Sequence, residues 1–525
     1  MNRPIPAAHS MRTPAIAVGA LLLASTALTA PAWAEDPARG PGAKEHPHGH
    51  HKGHHKGHHK GHPKGHQHGP KVTSESLRRA VTVRGVMNHL RAFQAIADEN
   101  DGTRSSGTPG YRASVRYVVG KLRSAGYRPE VQQFDFPYFE QLGPSVLQQV
   151  TPTPTTYVED TDYSLMTYSG NGDVTAPVQA VDLNLGDLAG STSGCEASDF
   201  AGFTAGNIAL VRRGSCTFGV KVANAEAAGA VGAIVMNTGL PGATDPFAGT
   251  LGEPAGIPAV GASFALGQAL AQAGAVTVRL AADTASEIRQ TWNVTAETRH
   301  GRDDNVVMAG AHLDSVVDGP GINDNGSGSA ALLEVALKMA KAKTRNTVRF
   351  AWWGAEEFSL LGSEHYVADL VANDPDRLAE IALYLNFDMI ASPNYVLGVY
   401  DGDASDFEAD PPEGSAQIEE VFTDYFASVG LPSVPSEFSG RSDYGPFIAQ
   451  DIPAGGLFTG AEGVKTAAEA ALFGGTAGVA YDECYHQACD DLDNVSRAAL
   501  DANSDAIAHA VITYARSTYQ VNGQR

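Results

Sequence analysis

From Trp292 onward the chain repeats one unit, and that repetition limits its fold more than any other feature: a short apolar run, a polar loop, an amphipathic stretch, another apolar run. Asn305–Ala311 reads as a strand, Ser329–Ala342 as a helix and Thr347–Trp353 as a strand. Ile381–Phe387 reads as another strand and Ser496–Ala515 as a closing helix. Strands that are apolar along their whole length are covered on both faces. Their alternation with helices implies an α/β fold, with a largely parallel sheet between two helical layers. Ligands of such sheets sit at the carboxyl ends of the strands. The residues to inspect are therefore those that directly follow each strand.

Those positions are rich in metal-binding chemistry. Asn305–Ala311 runs into His312-Leu313-Asp314-Ser315, followed by a Gly-rich loop with Asp324 at its centre. Thr347–Trp353 runs into Gly354-Ala355-Glu356-Glu357, and Ile381–Phe387 into Asp388. Tyr485 and His486 stand near the C-terminus. Two imidazoles and three carboxylates, with no thiolate among them, suit two divalent metals of the zinc type if one carboxylate bridges. Such a pair can share a water and lower its pKa toward neutrality. Of the adjacent glutamates, one can bind metal while its neighbour shuttles protons, because the chain turns at a strand end. Each piece alone is commonplace. A histidine after a strand is usually a loop residue, a Glu-Glu pair a solvated helix start, and an Asp among Asn, Gly and Ser a turn residue. Their shared place at strand ends carries the argument.

The rest of the chain supplies context. Arg3 and Arg12, an apolar run from Ala15 to Leu28 and Ala32-Trp33-Ala34 read as a secretory signal over residues 1–34. Residues 35–72 hold eleven of the 18 histidines and three successive His-His-Lys-Gly units. With almost nothing apolar to bury, this segment is expected to be disordered. Zinc capture outside the cell is one reading of it, and a solubilising spacer the plainer one. Val83–Ala97 and Tyr111–Ala125 read as helices, and Val131–Phe136 as a strand. From 143 to 284 the texture turns to Gly, Ala, Val and Thr. Two buried strands, Ile208–Val211 and Gly232–Met236, flank a helix at Val220–Ala228, with no cluster of catalytic residue types. The formal net charge of −22 argues against nucleic acid and anionic membranes as partners. After signal cleavage no membrane segment is expected. The four cysteines suit an exported protein, and nearness in sequence pairs Cys195 with Cys216 and Cys484 with Cys489, although other connectivities are open. Asp490, Asp491 and Asp493 offer oxygens of the kind calcium takes, against the plainer reading of a solvated acidic turn.

Together these motifs resemble the secreted bacterial di-zinc aminopeptidases of the leucyl aminopeptidase type, whose wider family includes glutamate carboxypeptidase and the transferrin receptor. The resemblance runs from about residue 73 to 518. It implies a three-layer α/β/α zinc peptidase core with a mostly parallel mixed sheet, formed by residues 73–142 and 285–525. Residues 143–284 resemble an inserted protease-associated domain, on Gly214-Ser215-Cys216-Thr217-Phe218 and the flanking strands. Position by position, the resemblance makes His312 and Asp388 ligands of one zinc, Glu357 and His486 ligands of the other, and Asp324 the bridge. Glu356 matches the general base, Tyr485 the tyrosine that hydrogen-bonds the developing oxyanion, and Asp314 the residue that orients His312. Arg441 lies in a loop, Ser439–Asp443, similar to one that helps hold the substrate's free amine. The implied substrates are peptides with a free N-terminus, with leucine and other apolar residues favoured. A related zinc carboxypeptidase or dipeptidase is the alternative enzyme; it needs a basic grip on the substrate carboxylate, for which only Arg441 is at hand. A single-zinc glutaminyl cyclase is a more distant option. A non-catalytic binding protein, or a metal buffer built on the His-rich segment, leaves the complete ligand set unexplained.

Overall fold

The computed structural model describes residues 72–186 and 190–524. The expected signal and all eleven histidines of the His-rich segment lie outside the described residues. Among the described residues, no helix is long and apolar enough to cross a membrane.

The alternation along the strands explains the layers. In Arg302–His312, Val307, Ala309 and Ala311 point into one core and Met308 into another. In Asn346–Trp353, Phe350 and Trp352 join the first core, Ala351 and Trp353 the second; Leu385 and Tyr384 divide likewise in Ile381–Phe387. Side chains of a strand alternate faces, so a strand apolar throughout needs a cover on each side. Helices Val83–Asp98, Pro109–Ala125, Gly328–Met339 and Arg497–Tyr514 contribute to the first core, and Leu361–Asn373 to the second. Caps set the helix starts: Thr82 accepts from the Gly85 N–H, Thr108 from Tyr111 and Ser496 from Ala499. Gly126, at φ 96°, ends the Pro109–Ala125 helix.

The eight-stranded peptidase sheet runs, edge to edge, through Glu130–Gln141, Thr284–Glu297, Asn346–Trp353, Arg302–His312, Ile381–Phe387, Ala454–Phe458, Gly398–Tyr400 and Val434–Ser436. Its central pairings are parallel, and antiparallel ones flank them. Register brings the functional ends together: His312 pairs with Trp353, and Gly310 with Asn386 two residues before Asp388. His312, Gly354–Glu357 and Asp388 thus leave neighbouring strands at one edge.

The first two strands form a long ribbon, paired from Glu130↔Thr295 to Gln141↔Thr284. At its far end lies a second eight-stranded sheet, whose strands fall between Val146 and Ala282. Four of these, Gly172–Ala180, Ile208–Arg212, Gly232–Met236 and Ala259–Ala262, run parallel in sequence order. The expected helix is present as Phe218–Ala227. Cys195 is bonded to Cys216, and Cys484 to Cys489.

The Cys195–Cys216 bond closes a sequence separation of 21 residues. Replacing both cysteines by serine is expected to cost the second sheet's unit roughly 3 kcal/mol, the loop-closure entropy for a loop of that size. Urea unfolding of the double variant measures this; a loss below about 1 kcal/mol would mean the reduced chain keeps the loop closed by packing.

Candidate active site

Four loops at the carboxyl edge build the site, and each is held by contacts that are not evident locally in sequence. The Asp324 loop is short and turned sharply. Gly321 has φ 58°, and a Cβ there would lie 2.3 Å from the Asp324 carbonyl. The Asp324–Asn325 peptide bond is cis. The helix that follows starts at Gly328, where a Cβ would stand 2.2 Å from the Phe387 carbonyl. This close approach sets the Asp324 loop beside Asp388.

The five expected ligands converge in two groups that share one residue. His312 Nε2 lies 3.2 Å from Asp324 Oδ1 and 3.3 Å from Asp388 Oδ1. His486 Nε2 lies 3.3 Å from Asp324 Oδ2 and 3.1 Å from Glu357 Oε2. Asp324 therefore turns one oxygen to each imidazole. Glu356 stands slightly apart, its Oε2 3.8 Å from His312 Nε2. His312 Nε2, Asp388 Oδ1 and Glu357 Oε1 are buried with no hydrogen-bond partner. Buried polar atoms without partners are costly unless something else satisfies them, and cation ligands are of this kind.

Supporting residues orient these groups. His312 Nδ1 lies 3.2 Å from the Asp314 carbonyl oxygen, a distance that suits an Nδ1–H donor and leaves Nε2 bare toward the acids. The Asp314 carboxylate is 3.7 Å from that ring nitrogen; its Oδ1 accepts instead from the Glu356 N–H at 3.3 Å. Asp314 thus faces His312 Nδ1 with its backbone carbonyl, in the position expected of a residue that orients this imidazole. Asp388 is held through a buried relay. Trp353 donates to Tyr384 Oη at 2.8 Å, Tyr384 to Asn386 at 3.2 Å, Asn386 to Ser442 at 2.8 Å, and Ser442 to Asp388 Oδ2 at 2.6 Å.

Two important supports escape a motif-based reading. Arg104 is fully buried and donates to the carbonyls of Leu313 and Gly321, both at 2.5 Å, and of Pro320 at 2.8 Å. It ties the end of the His312 strand to the start of the Asp324 loop. Burial lowers its pKa to about 10, so it stays charged at neutral pH beside Asp314, Asp490 and Asp324. Asp490 is buried and accepts from the N–H groups of Asn323 at 2.8 Å and Asp324 at 2.9 Å. Those oxygens serve the metal loop, and Asp491 caps a short 3-10 turn at Leu492–Asn494. The acidic run that suggested a solvated turn or a calcium site is in part an internal clamp.

The remaining expected residues lie around a cleft of about 730 Å³, lined by His312, Glu356, Met389, Arg441, Phe458, Tyr485 and others. The Tyr485 ring stacks on His486 with centroids 3.8 Å apart. Arg441 is exposed on the rim and is the single lysine or arginine of the lining, against seven carboxylates.

Crowding of acids governs the electrostatics of the metal-free site. Burial drives Glu357 up to about 7, helped by Asp324, and Asp443 to about 8. Burial likewise pushes Glu356 well above the usual carboxylate range. Burial opposes a charge on His486, but the carboxylates of Asp324 and Glu357 outweigh it and raise its pKa to about 10. Asp324 is lowered despite burial, because both imidazoles bond to it. The set thus holds protons that a cation must displace.

Residues 293–511 match the profile of peptidase family M28 and residues 174–270 that of the PA domain. The chain is 48% identical to an aminopeptidase of Pseudomonas aeruginosa strain UCBPP-PA14, over 86% of this chain and 84% of that protein. It is 41% identical to leucine aminopeptidase 2 of Trichophyton rubrum, over 85% and 87% of the two chains. The solved aminopeptidase from Aneurinibacillus sp. strain AM-1 superposes with a TM-score of 0.60 at 27% identity, over 86% of this chain and 96% of that one.

Because Glu357 and His486 carry protons near pH 7 in the metal-free site, binding of a divalent cation is expected to release protons. Affinity should then rise as pH goes from about 6 to about 8, since fewer protons remain to be displaced. Calorimetric titration in two buffers of different ionisation enthalpy counts them; identical heats in both buffers would contradict the expectation.

Proposed function

The chain belongs to peptidase family M28 and is an aminopeptidase, and from that premise we propose that it releases single N-terminal residues using two zinc ions, with Glu356 as general base. In this reading His312 and Asp388 hold one ion, Glu357 and His486 the other, and Asp324 bridges. The observation that carries it is the division of Asp324, with Oδ1 toward His312 and Oδ2 toward His486. The donor set fits zinc: imidazole and carboxylate, buried, with unpartnered atoms at His312, Asp388 and Glu357. When bound, the two ions supply Lewis acidity toward water and toward the scissile carbonyl.

The chain's own residues do the rest. Glu356, whose carboxylate has His312 Nε2 at 3.8 Å as its one ion-pair partner among the described residues, takes the proton of the attacking water and returns it to the departing amine. Burial raises its proton affinity, which suits a group that must hold that proton between the two transfers. The Tyr485 hydroxyl donates to the oxygen that gains charge on the substrate carbonyl. Glu356, Asp388 and the Ser439–Asp443 loop face the substrate's ammonium group. The acidic lining favours that cation and disfavours a substrate carboxylate, which argues against a carboxypeptidase with Arg441 as its only grip. Met389 and Phe458 in the cleft supply apolar wall for a leucine-like side chain, in keeping with the relatives named leucine aminopeptidase. Residues 143–284 would then be the inserted protease-associated domain within a peptidase domain of 73–142 and 285–525. The leader over residues 1–34 and the two disulfides support action outside the cell.

Leucine amide and N-acetyl-leucine amide, each with and without chelator, separate the readings. Turnover of the first alone, abolished by chelator, is expected. Glu356→Gln should retain zinc and lose about 10²–10⁴-fold in kcat, the usual worth of a general base. Glu357→Gln should lose metal instead. A Glu356→Gln variant with full zinc and more than about a tenth of wild-type kcat would remove Glu356 from the role of base.

A further inference from the structure

The turn that carries Glu356 and Glu357 has an unusual seat. It contains three non-glycine residues in the left-handed region, Ala355 at φ 55°, Ser359 at 77° and Leu360 at 64°. Such residues persist only where the surroundings enforce them. Backbone contacts supply part of that enforcement: the Ala355 N–H donates to Ser106 Oγ at 2.7 Å, and the Glu356 N–H to Asp314. The larger part is aromatic, and it comes from the ribbon that carries the inserted domain.

Phe358, the residue directly after the glutamate pair, packs its ring on Phe136 and Tyr138 of the ribbon, with centroid distances of 5.0 and 5.5 Å. Phe136 and Tyr138 are almost wholly buried, in one cluster with Ala355 of the turn itself. Past the turn, His365 stacks on Phe134 of the same strand at 4.5 Å. The ribbon therefore grips the turn twice along its own length. Its outer end is fixed to the insert: Phe139 meets the ring of Tyr168 at 5.9 Å, and Ser286 Oγ donates to the Tyr168 carbonyl at 3.0 Å. The ribbon strand thus presents Phe139 to the insert on one face and Phe136 and Tyr138 to Phe358 on the other, so that its backbone links the two.

We propose that Phe358 is a positioning residue for catalysis: held by Phe136 and Tyr138, it sets the Glu356–Glu357 turn, and it couples that turn to the seat of the inserted domain. The proposal rests on the reading of Glu356 as base and Glu357 as ligand. Phe358 does not line the cleft with the substrate-facing groups, so its loss should leave ground-state binding in place. What it should disturb is the placement of the base and of one metal ligand. Displacements of the order of 1 Å in such groups cost up to ~10²-fold in rate.

The experiment compares Phe358→Ala, Phe358→Leu and Tyr138→Phe with wild type in the full chain, well below each melting temperature. Phe358→Ala is expected to lower kcat for leucine amide roughly tenfold or more with KM within about twofold. It should also speed zinc loss to a coloured chelator by roughly tenfold, the scale on which support of a metal ligand acts. Phe358→Leu, which refills most of the volume, should recover most of both losses. Tyr138→Phe, which keeps the ring, should match wild type. Wild-type kcat and zinc release in a folded Phe358→Ala overturn the proposal, whatever happens to its melting temperature. If that variant does not fold, Phe136→Leu is read by the same two measurements. Glu356→Gln run alongside keeps the two readings apart: wild-type turnover there refutes the base assignment, while the zinc-release rates still decide on Phe358.

Discussion

Like charges held together out of water dominate this molecule. Two carboxylates ~4 Å apart repel by about 4 kcal/mol at the effective dielectric of a protein surface region. The site gathers Asp314, Asp324, Glu356, Glu357, Asp388 and Asp443 around two imidazoles. The surroundings answer that repulsion in several ways. Arg104 places a buried positive charge beneath the loops and Ser442 donates to Asp388, while buried unpartnered atoms of His312, Asp388 and Glu357 are left for a cation to satisfy. Zinc held by these residues would contribute to the integrity of this edge of the fold as well as to chemistry, because ion binding free energy is shared with the folding of its ligand loops.

The same constraint accounts for where the backbone is strained. Ala355 precedes Glu356, Met389 follows Asp388, and His486 is itself a proposed ligand; all three have positive φ. Non-glycine residues in that region cost of order 1 kcal/mol or more each. They are placed where the chain must turn a ligand inward and leave again within a residue or two. The Cys484–Cys489 bond closes such a turn around Tyr485 and His486. Asp490, the next residue, locks it to the backbone of Asn323 and Asp324. One short loop near the C-terminus thereby fixes both His486 and the opposite loop that holds Asp324.

Much of this was legible in the sequence, for a definite reason. Strands buried on both faces announce themselves by unbroken apolar runs, and Ile381–Phe387 was bounded to the residue. Helix limits fell within a few residues because threonine, serine and glycine caps mark them. The convergence of His312, Asp324, Glu357 and Asp388 follows from strand ends in a parallel sheet, whereas His486 reaches them from a loop well after the last strand. Other parts carry no local signal. Arg104 stands in a Thr-Arg-Ser-Ser-Gly stretch that reads as a solvated loop, and only the fold brings three carbonyls around it. Asp490 looks like part of a surface acidic run until its partners, more than 160 residues earlier, are known. The first ribbon strand was read as ending at Phe136 but continues to Gln141 through Pro137, supported by a partner strand that returns only after the whole insert. Pairing across so long an excursion leaves no trace in a window of ten residues.

The two roles proposed for the adjacent glutamates place different demands on one turn. A metal ligand needs a fixed carboxylate, whereas a proton carrier needs one free to approach water and then the leaving amine. Glu357 meets the first need, with Oε2 3.1 Å from His486 and the Asp324 oxygens nearby. Glu356 meets the second, because its protein contacts are made by its backbone: its N–H is anchored on Asp314 Oδ1, and its carbonyl accepts from Leu360. Asp314 in turn faces His312 Nδ1 through its own carbonyl. The proposed base is thus anchored at its main chain, and the residue that anchors it also faces the first imidazole. In that reading an anchored backbone leaves the carboxylate as the part of Glu356 that carries the two successive proton transfers.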